Sequence, residues 1–110
     1  MSFYRWDELT DHKDKVNILL SRRFVVGEKG MLIMINLKKG CIVPKHKHPE
    51  EQFSYIVKGK AKYEVAGKEA AILKDGGVVH LPGNVEHGLE ALEDTLCLDV
   101  FTPIRKELLP

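Results

Sequence analysis

Short apolar runs alternate with turn residues along most of this sequence, at intervals of about 8–12 residues. β-Branched and aromatic runs at this spacing are typical of an all-β sandwich or barrel. Lys58-Gly59 is suited to a two-residue hairpin turn, because glycine adopts positive φ without steric cost. The predicted strands cover residues 23–26, 31–37, 41–43, 52–57, 61–65, 70–73, 78–81 and 95–101.

Two of these predicted strands, 31–37 and 52–57, are apolar on both faces. Successive strand residues point to opposite sides, so one face of each strand lines the interior and the other points outward. The second faces carry Leu32 and Met34 in one strand and Phe53, Tyr55 and Val57 in the other. A small barrel has only one interior, so the outer face needs a cover, either the N-terminal segment or a second copy of the chain. We predict a homodimer.

Charge and composition exclude several classes of partner. The 110 residues include 17 Lys+Arg and 16 Asp+Glu, without the basic excess that nucleic acids require. No apolar run approaches the roughly 20 residues of a membrane span, and the N-terminus has no apolar signal-peptide core. Cys41 and Cys97 are too few for a disulfide framework, and we expect both to be small buried residues. A single cytoplasmic domain is predicted.

Three histidines and a glutamine have a spacing that suits a metal site. His46 and His48 are two residues apart, so on an extended strand both imidazoles point the same way. Gln52 shares that side if the chain keeps its phase, and an antiparallel return strand brings His87 opposite. Three imidazoles and a carbonyl oxygen suit a first-row divalent metal with positions left for water or substrate. His12 has no such context and is expected to be structural.

The wider spacing resembles the two signature motifs of the cupin superfamily. The first is Gly40-x5-His46-x-His48-x3-Gln52-x6-Gly59 and the second is Gly76-x5-Pro82-x4-His87. The resemblance covers roughly residues 30–105 and implies a double-stranded β-helix, or jelly-roll barrel. It also implies that His46, His48, Gln52 and His87 bind one divalent transition metal, whether Ni, Zn, Mn, Fe, Co or Cu. We expect an N-terminal arm at 1–20, a barrel at 21–105 and a tail at 106–110.

The glutamine is a departure from the family pattern, which usually has glutamate at this position. A neutral ligand leaves the full double charge on the metal, which makes the ion a stronger Lewis acid. Gln52 also cannot act as a general base. The alternative is a bulge that turns Glu51 inward as the fourth ligand. His80, seven residues before His87, faces either the cavity or solvent.

The segment 96–105 contains a second group of candidate residues. Asp99 and Phe101 share one strand face with Cys97, while the opposite face is apolar. A carboxylate in such a strand is costly unless it is paired or faces a wet cavity, so Asp99 is predicted to point inward as a general acid/base. Phe101 would form an apolar wall, and Arg105 would bind a substrate carboxylate. The alternative is an Asp in a turn network, a core Phe and a surface Arg.

The ending Asp99-Val-Phe-Thr-Pro-Ile-Arg105, with the histidine motif, is similar to that of the uronate-linearising cupins of pectin and alginate breakdown, the KdgF type. This resemblance implies ring opening and ketonisation of a small anionic substrate, a 4,5-unsaturated uronate. In that reaction Asp99 would move protons, Phe101 would stack on the sugar and Arg105 would hold its carboxylate. The alternatives are a metal-dependent dioxygenase, which would consume oxygen, and a sugar-acid-binding module without turnover.

Overall fold

Ten strands, all paired antiparallel, form two sheets, and the chain has no α-helix. The computed structural model describes residues 1–110. The strands are β1 (His12–Lys13), β2 (Leu20–Val26), β3 (Met31–Leu37), β4 (Ile42–His46), β5 (Glu51–Lys58), β6 (Lys60–Val65), β7 (Ala71–Lys74), β8 (Val78–Leu81), β9 (His87–Ala91) and β10 (Thr95–Thr102). The six-stranded sheet has the order β1-β2-β3-β10-β5-β8, and the four-stranded sheet the order β4-β9-β6-β7. The predicted all-β jelly-roll barrel is confirmed.

The core lies between the two sheets and follows the predicted alternation. In β3 the residues Met31, Ile33 and Leu37 are buried, and in β10 every second residue from Thr95 to Phe101 is buried. Cys41 and Cys97 are both buried and unpaired. β1 was not predicted, and β9 was expected only as a return strand at His87 without bounds, because neither sequence has a run of β-branched residues.

The predicted Lys58-Gly59 hairpin is wrong. β5 ends at Lys58 and β6 begins at Lys60, but β5 pairs with β8 and β10, whereas β6 pairs with β7 and β9. Gly59 is therefore a corner at which the chain passes from one sheet to the other. Its φ is +119°, and a Cβ at this position would lie 2.6 Å from the carbonyl oxygen of Asp94. Glycine is required here for both reasons.

The outer face of the six-stranded sheet is apolar and open. Phe53, Tyr55 and Val78 are 41%, 42% and 59% exposed. The first two belong to β5, which has a neighbouring strand on each side, and Val78 belongs to the edge strand β8. The N-terminal segment has a short 3-10 turn at Trp6–Glu8 and leaves these side chains uncovered. None of the secondary-structure elements is a helix with the length and apolar character to cross a membrane.

Candidate metal centre and cavity

Both sheets contribute to the histidine cluster. His46, the last residue of β4, lies directly opposite His87, the first residue of β9. His48 lies in the connection that crosses to the other sheet, and Gln52 follows on β5. The strand therefore ends between the two motif histidines, but the crossing still brings their rings together. One ligand atom from each of the three histidines lies within 4.8 Å of the others, so the cluster can hold a metal ion.

A backbone carbonyl oxygen orients each of the three imidazoles. In each ring Nδ1 lies within hydrogen-bond distance of a backbone carbonyl oxygen two residues away, so Nδ1–H is the donor. The carbonyl acceptors are Pro44 for His46 at 2.8 Å, Glu50 for His48 at 3.0 Å and Val85 for His87 at 2.8 Å. Each Nε2 is therefore directed away from the carbonyl partner of its ring, which is how outer hydrogen bonds orient histidine ligands in metal sites.

One ring nitrogen of the cluster has no hydrogen-bond partner, as expected of a metal ligand. The Nε2 atom of His87 is buried and has no hydrogen-bond partner, an arrangement that costs free energy unless another group binds the lone pair. Burial also lowers the pKa of both His48 and His87, which keeps the rings in the neutral form that metal binding requires. The residues present therefore fit a divalent transition metal.

Gln52 is fixed by a buried hydrogen-bond network. Its Nε2 donates to Ser54 Oγ at 2.9 Å and to Asp99 Oδ2 at 3.3 Å, while the Ser54 hydroxyl donates to Asp99 Oδ1 at 2.6 Å. The amide oxygen is thereby turned toward the histidines, 3.0 Å from His48 Nε2. Sequence analysis missed Ser54, although its place two residues after Gln52 on an inward-facing strand is a usable signal.

Asp99 faces the cavity beside this network and is only 7% exposed. Burial raises its pKa to about 6, although the hydrogen bond from Ser54 and the positive charges of Arg22 and Arg105 oppose the rise. A carboxyl group with such a pKa exchanges protons readily near neutral pH. The inward orientation follows the alternation of β10, in which the leucines take the other face.

Glu51 and His80 lie outside the cavity. Glu51 Oε2 is 2.6 Å from His80 Nε2, and both side chains are partly exposed. The His80 ring also stacks on Phe53, with 4.7 Å between ring centroids. Glu51 therefore does not turn inward, and the alternative of a bulge at this position is excluded. The open question about His80 is resolved in favour of the surface.

Phe101 and Arg105 pack together at the wall of the cavity. Phe101 is 1% exposed, and its ring lies against the His48 ring, with 5.5 Å between centroids. The Arg105 guanidinium carbon is also 5.5 Å from the centre of the Phe101 ring. Arg105 Nε donates to Glu107 Oε1 at 2.7 Å, so a carboxylate already occupies one edge of the guanidinium.

The cavity enclosed by these residues has a volume of about 340 Å³, at the small end of the usual range for ligand sites. Its lining includes His46, Gln52, Asp99, Phe101 and Arg105, and also Arg22 from β2. Arg22 was missed because the predicted strand began three residues too late, at position 23, whereas β2 begins at Leu20. With the correct start, the alternation turns Leu20 and Arg22 to the same side.

Comparison with known proteins matches residues 33–101 to the family described as "Cupin domain". The chain is 29% identical over 107 residues to the pectin degradation protein KdgF of Dickeya dadantii, a match that covers 94% of this chain and 90% of that protein.

Two solved structures are also similar to this chain along nearly its whole length. The structure of KdgF from Halomonas sp. is 29% identical, with a TM-score of 0.89 over 98% of this chain and 100% of the other. An RmlC-like cupin from Shewanella frigidimarina is 24% identical, with a TM-score of 0.90 over 99% and 96% of the two chains. At that identity the second structure supports the fold alone.

Proposed function

Because the chain belongs to the cupin family, we propose that it is a metal-dependent enzyme that linearises 4,5-unsaturated uronates. The observation that carries the proposal is the contact between Asp99 and Gln52, which sets a proton-exchanging carboxyl group beside the three-histidine cluster. The similarity to a pectin degradation protein along nearly the whole chain supports the choice of substrate class.

The metal would be held by His46, His48 and His87 through Nε2 and by Gln52 through its amide oxygen. When bound, it would supply Lewis-acid stabilisation of negative charge on substrate oxygens. The ligand set is neutral, so the ion's full charge is available for this purpose. Any of several divalent metals suits this chemistry, because the reaction involves no change of oxidation state.

The reaction is a balanced isomerisation in which Asp99 moves the protons. The anomeric hydroxyl of the substrate loses a proton, the bond between C1 and the ring oxygen breaks, and an aldehyde forms at C1. The electron pair of that bond remains on the former ring oxygen as an enolate, and a proton delivered to C4 converts the enolate to a ketone. A carboxyl group with its pKa raised to about 6 can accept the first proton and return it to carbon.

Arg105 would bind the substrate carboxylate, and Phe101 would support this interaction from behind. The Phe101 ring is buried between His48 and Arg105, so in this proposal it orients these two side chains instead of stacking on the sugar. Glu107 holds Arg105 in the absence of substrate, and the substrate carboxylate would compete for the same guanidinium.

The test is an absorbance assay that follows the conjugated alkene of a freshly prepared 4,5-unsaturated monouronate. Metal-loaded protein, chelator-stripped protein and buffer alone are compared. We expect acceleration over the spontaneous reaction only with the metal-loaded protein, and no oxygen uptake. Metal-loaded protein without acceleration would refute the uronate reaction, and oxygen uptake on another substrate would point to a dioxygenase.

In the same assay, Asp99→Asn tests the role of Asp99 in proton transfer. General acid/base catalysis contributes about 10²–10⁴-fold, so we expect kcat to fall by at least about 100-fold while the bound metal stays stoichiometric. Asp11→Asn, which removes an exposed carboxylate outside the cavity lining, is the matched control. Full activity in metal-loaded Asp99→Asn would remove the proposed role of this residue.

We also propose that the working unit is a homodimer formed through the apolar outer face of the six-stranded sheet. The exposed side chains of Phe53, Tyr55, Val57 and Val78 belong to the adjacent strands β5 and β8 and form one patch. Contiguous apolar patches on small domains are typical of interfaces. Beside the patch, Glu51 and His80 form an ion pair with each other, so the apolar side chains are bordered by a charge pair that is already matched within the chain. A cytoplasmic location remains a prediction.

A further inference from the structure

Arg22 lines the cavity, yet the proposed reaction does not use it. The residue belongs to β2, where its backbone lies opposite Ile35 of β3, and its side chain is 19% exposed. It is close enough to Asp99 for its positive charge to offset part of the rise in pKa that burial causes there. A largely buried arginine at the wall of a small cavity is a strong recognition group for oxygen anions.

Only part of the Arg22 guanidinium has a partner. Its NH1 group donates to Asp14 Oδ1 at 2.9 Å, an ion pair that fixes the side chain. The Nε atom is buried and has no hydrogen-bond acceptor. A buried donor without an acceptor is costly, and side chains of this kind in native proteins usually have a ligand or water as the missing partner. The ion pair with Asp14 therefore does not account for the whole group.

The strand order places Arg22 and the metal ligands on different sides of the cavity wall. In the six-stranded sheet β10 lies between β3 and β5, and β2 lies beyond β3. Asp99 on β10 thus separates Gln52 on one side from Arg22 on the other. β2 and β5 are three strand spacings apart, about 14 Å along the sheet. The two side chains approach the cavity from opposite sides of the proton-exchanging carboxyl group.

We infer that Arg22 is a second oxygen-binding residue of the cavity, and that it binds the end of the substrate farther from the histidine cluster. The cavity would then select small molecules with oxygen-bearing groups at both ends, with a carboxylate near Arg105 and a hydroxyl, carbonyl or second carboxylate near Arg22. The choice of an unsaturated uronate as the substrate rests on the proposed function. In that substrate the far end is the anomeric carbon, at which the aldehyde oxygen forms.

The test measures binding without turnover. Metal-loaded protein is titrated calorimetrically with galacturonate, which has one carboxylate, and with galactarate, which has one at each end. Neither contains the conjugated alkene. A charge-assisted pair with the Arg22 Nε–H should make the parent protein bind galactarate about ten-fold or more tightly than galacturonate.

Arg22→Met should reduce this preference to near unity. Arg23→Met is the matched control: it removes the neighbouring arginine of the same strand, whose Nε donates to the carbonyl oxygen of Leu9, and the preference should persist. If Arg22→Met fails to fold, Arg22→Lys takes its place, because lysine keeps a cation beside Asp14 but has no Nε–H edge. We expect this variant to keep less than a third of the parent's preference.

Two results would overturn the inference: equal binding of the two acids by the parent protein, or an unchanged preference in the Arg22 variant that folds. A purely structural Arg22 would weaken both ligands equally and leave their ratio intact, which is also a refutation. The two proposals fail separately. A parent protein that prefers galactarate but does not accelerate uronate linearisation would refute the proposed function alone, whereas turnover without the preference would refute the role of Arg22 alone.

Discussion

Gln52→Glu is a substitution whose effect on stability can be worked out directly from one contact of the structure. It restores the glutamate that is usual in cupins, but places a carboxylate oxygen at the position of the Gln52 amide nitrogen, 3.3 Å from Asp99 Oδ2. With an effective dielectric constant of about 20, two unit charges at that separation repel each other by about 5 kcal/mol. The protein can avoid the repulsion only by holding a proton on the pair.

The proton is held at the lowest cost by Asp99, whose pKa is already raised to about 6. Keeping Asp99 protonated at pH 8 costs 1.36 kcal/mol for each of about 2 pH units, about 3 kcal/mol in all. In chelator at pH 8 we therefore expect Gln52→Glu to lower the midpoint of thermal unfolding by about 10 °C. At pH 5 Asp99 is already protonated in the parent, so most of the deficit should disappear.

The assay is thermal unfolding followed by circular dichroism, with and without a divalent metal. A bound dication offsets the added charge, so metal should raise the midpoint more in Gln52→Glu than in the parent. Gln52→Met is the control, because it loses the same hydrogen bonds without adding charge and should show little dependence on pH. Equal midpoints for the parent and Gln52→Glu in chelator at pH 8 would refute the contact between Gln52 and Asp99.

Three further predictions follow from the same structure. In chelator, the stabilisation from protonated Asp99 should be complete below pH 4 and lost as the pH rises through about 6. In urea unfolding, the free energy of unfolding of the parent should therefore fall by about 3 kcal/mol relative to that of Asp99→Asn between pH 4 and 7.5. Parallel pH curves for the two proteins would contradict the buried carboxyl. Arg105→Lys should raise KM for the uronate about ten-fold with little change in kcat, because lysine cannot bind a carboxylate in a bidentate fashion; a fall in kcat alone would argue against carboxylate binding. Tyr55→Glu combined with Val57→Lys should convert the dimer to a folded monomer in light scattering, whereas Lys62→Glu on the other sheet should not; a monomeric parent would refute the interface.

The strands that were located best from the sequence are those with a long, regular run of apolar residues. β3 and β10 alternate so regularly that both their extents and their buried faces follow from the sequence, and the inward orientation of Asp99 follows with them. The facing pair of His46 and His87 agrees with the antiparallel return strand that was considered for His87.

The features that were missed depend on contacts between distant parts of the chain. A Lys-Gly pair between two strands suits both a hairpin and a corner, and only the competition among partner strands decides that β5 and β6 lie in different sheets. Arg22 and Ser54 are ordinary residues in sequence. Local alternation places both side chains on the inward faces of β2 and β5, and the strand order then brings them to one cavity on either side of the β3 and β10 pair.

The histidine cluster joins two sheets that share few backbone hydrogen bonds. His46 and His87 end strands of the smaller sheet, while Gln52 belongs to the larger one. An ion bound by all of them is thus a cross-link between the two walls at one end of the barrel. Loss of the ion would allow that end to open locally while the rest of the core stays closed. Amide hydrogen exchange near His46, Gln52 and His87 should then respond to metal far more than exchange in β7, which is remote from the cross-link.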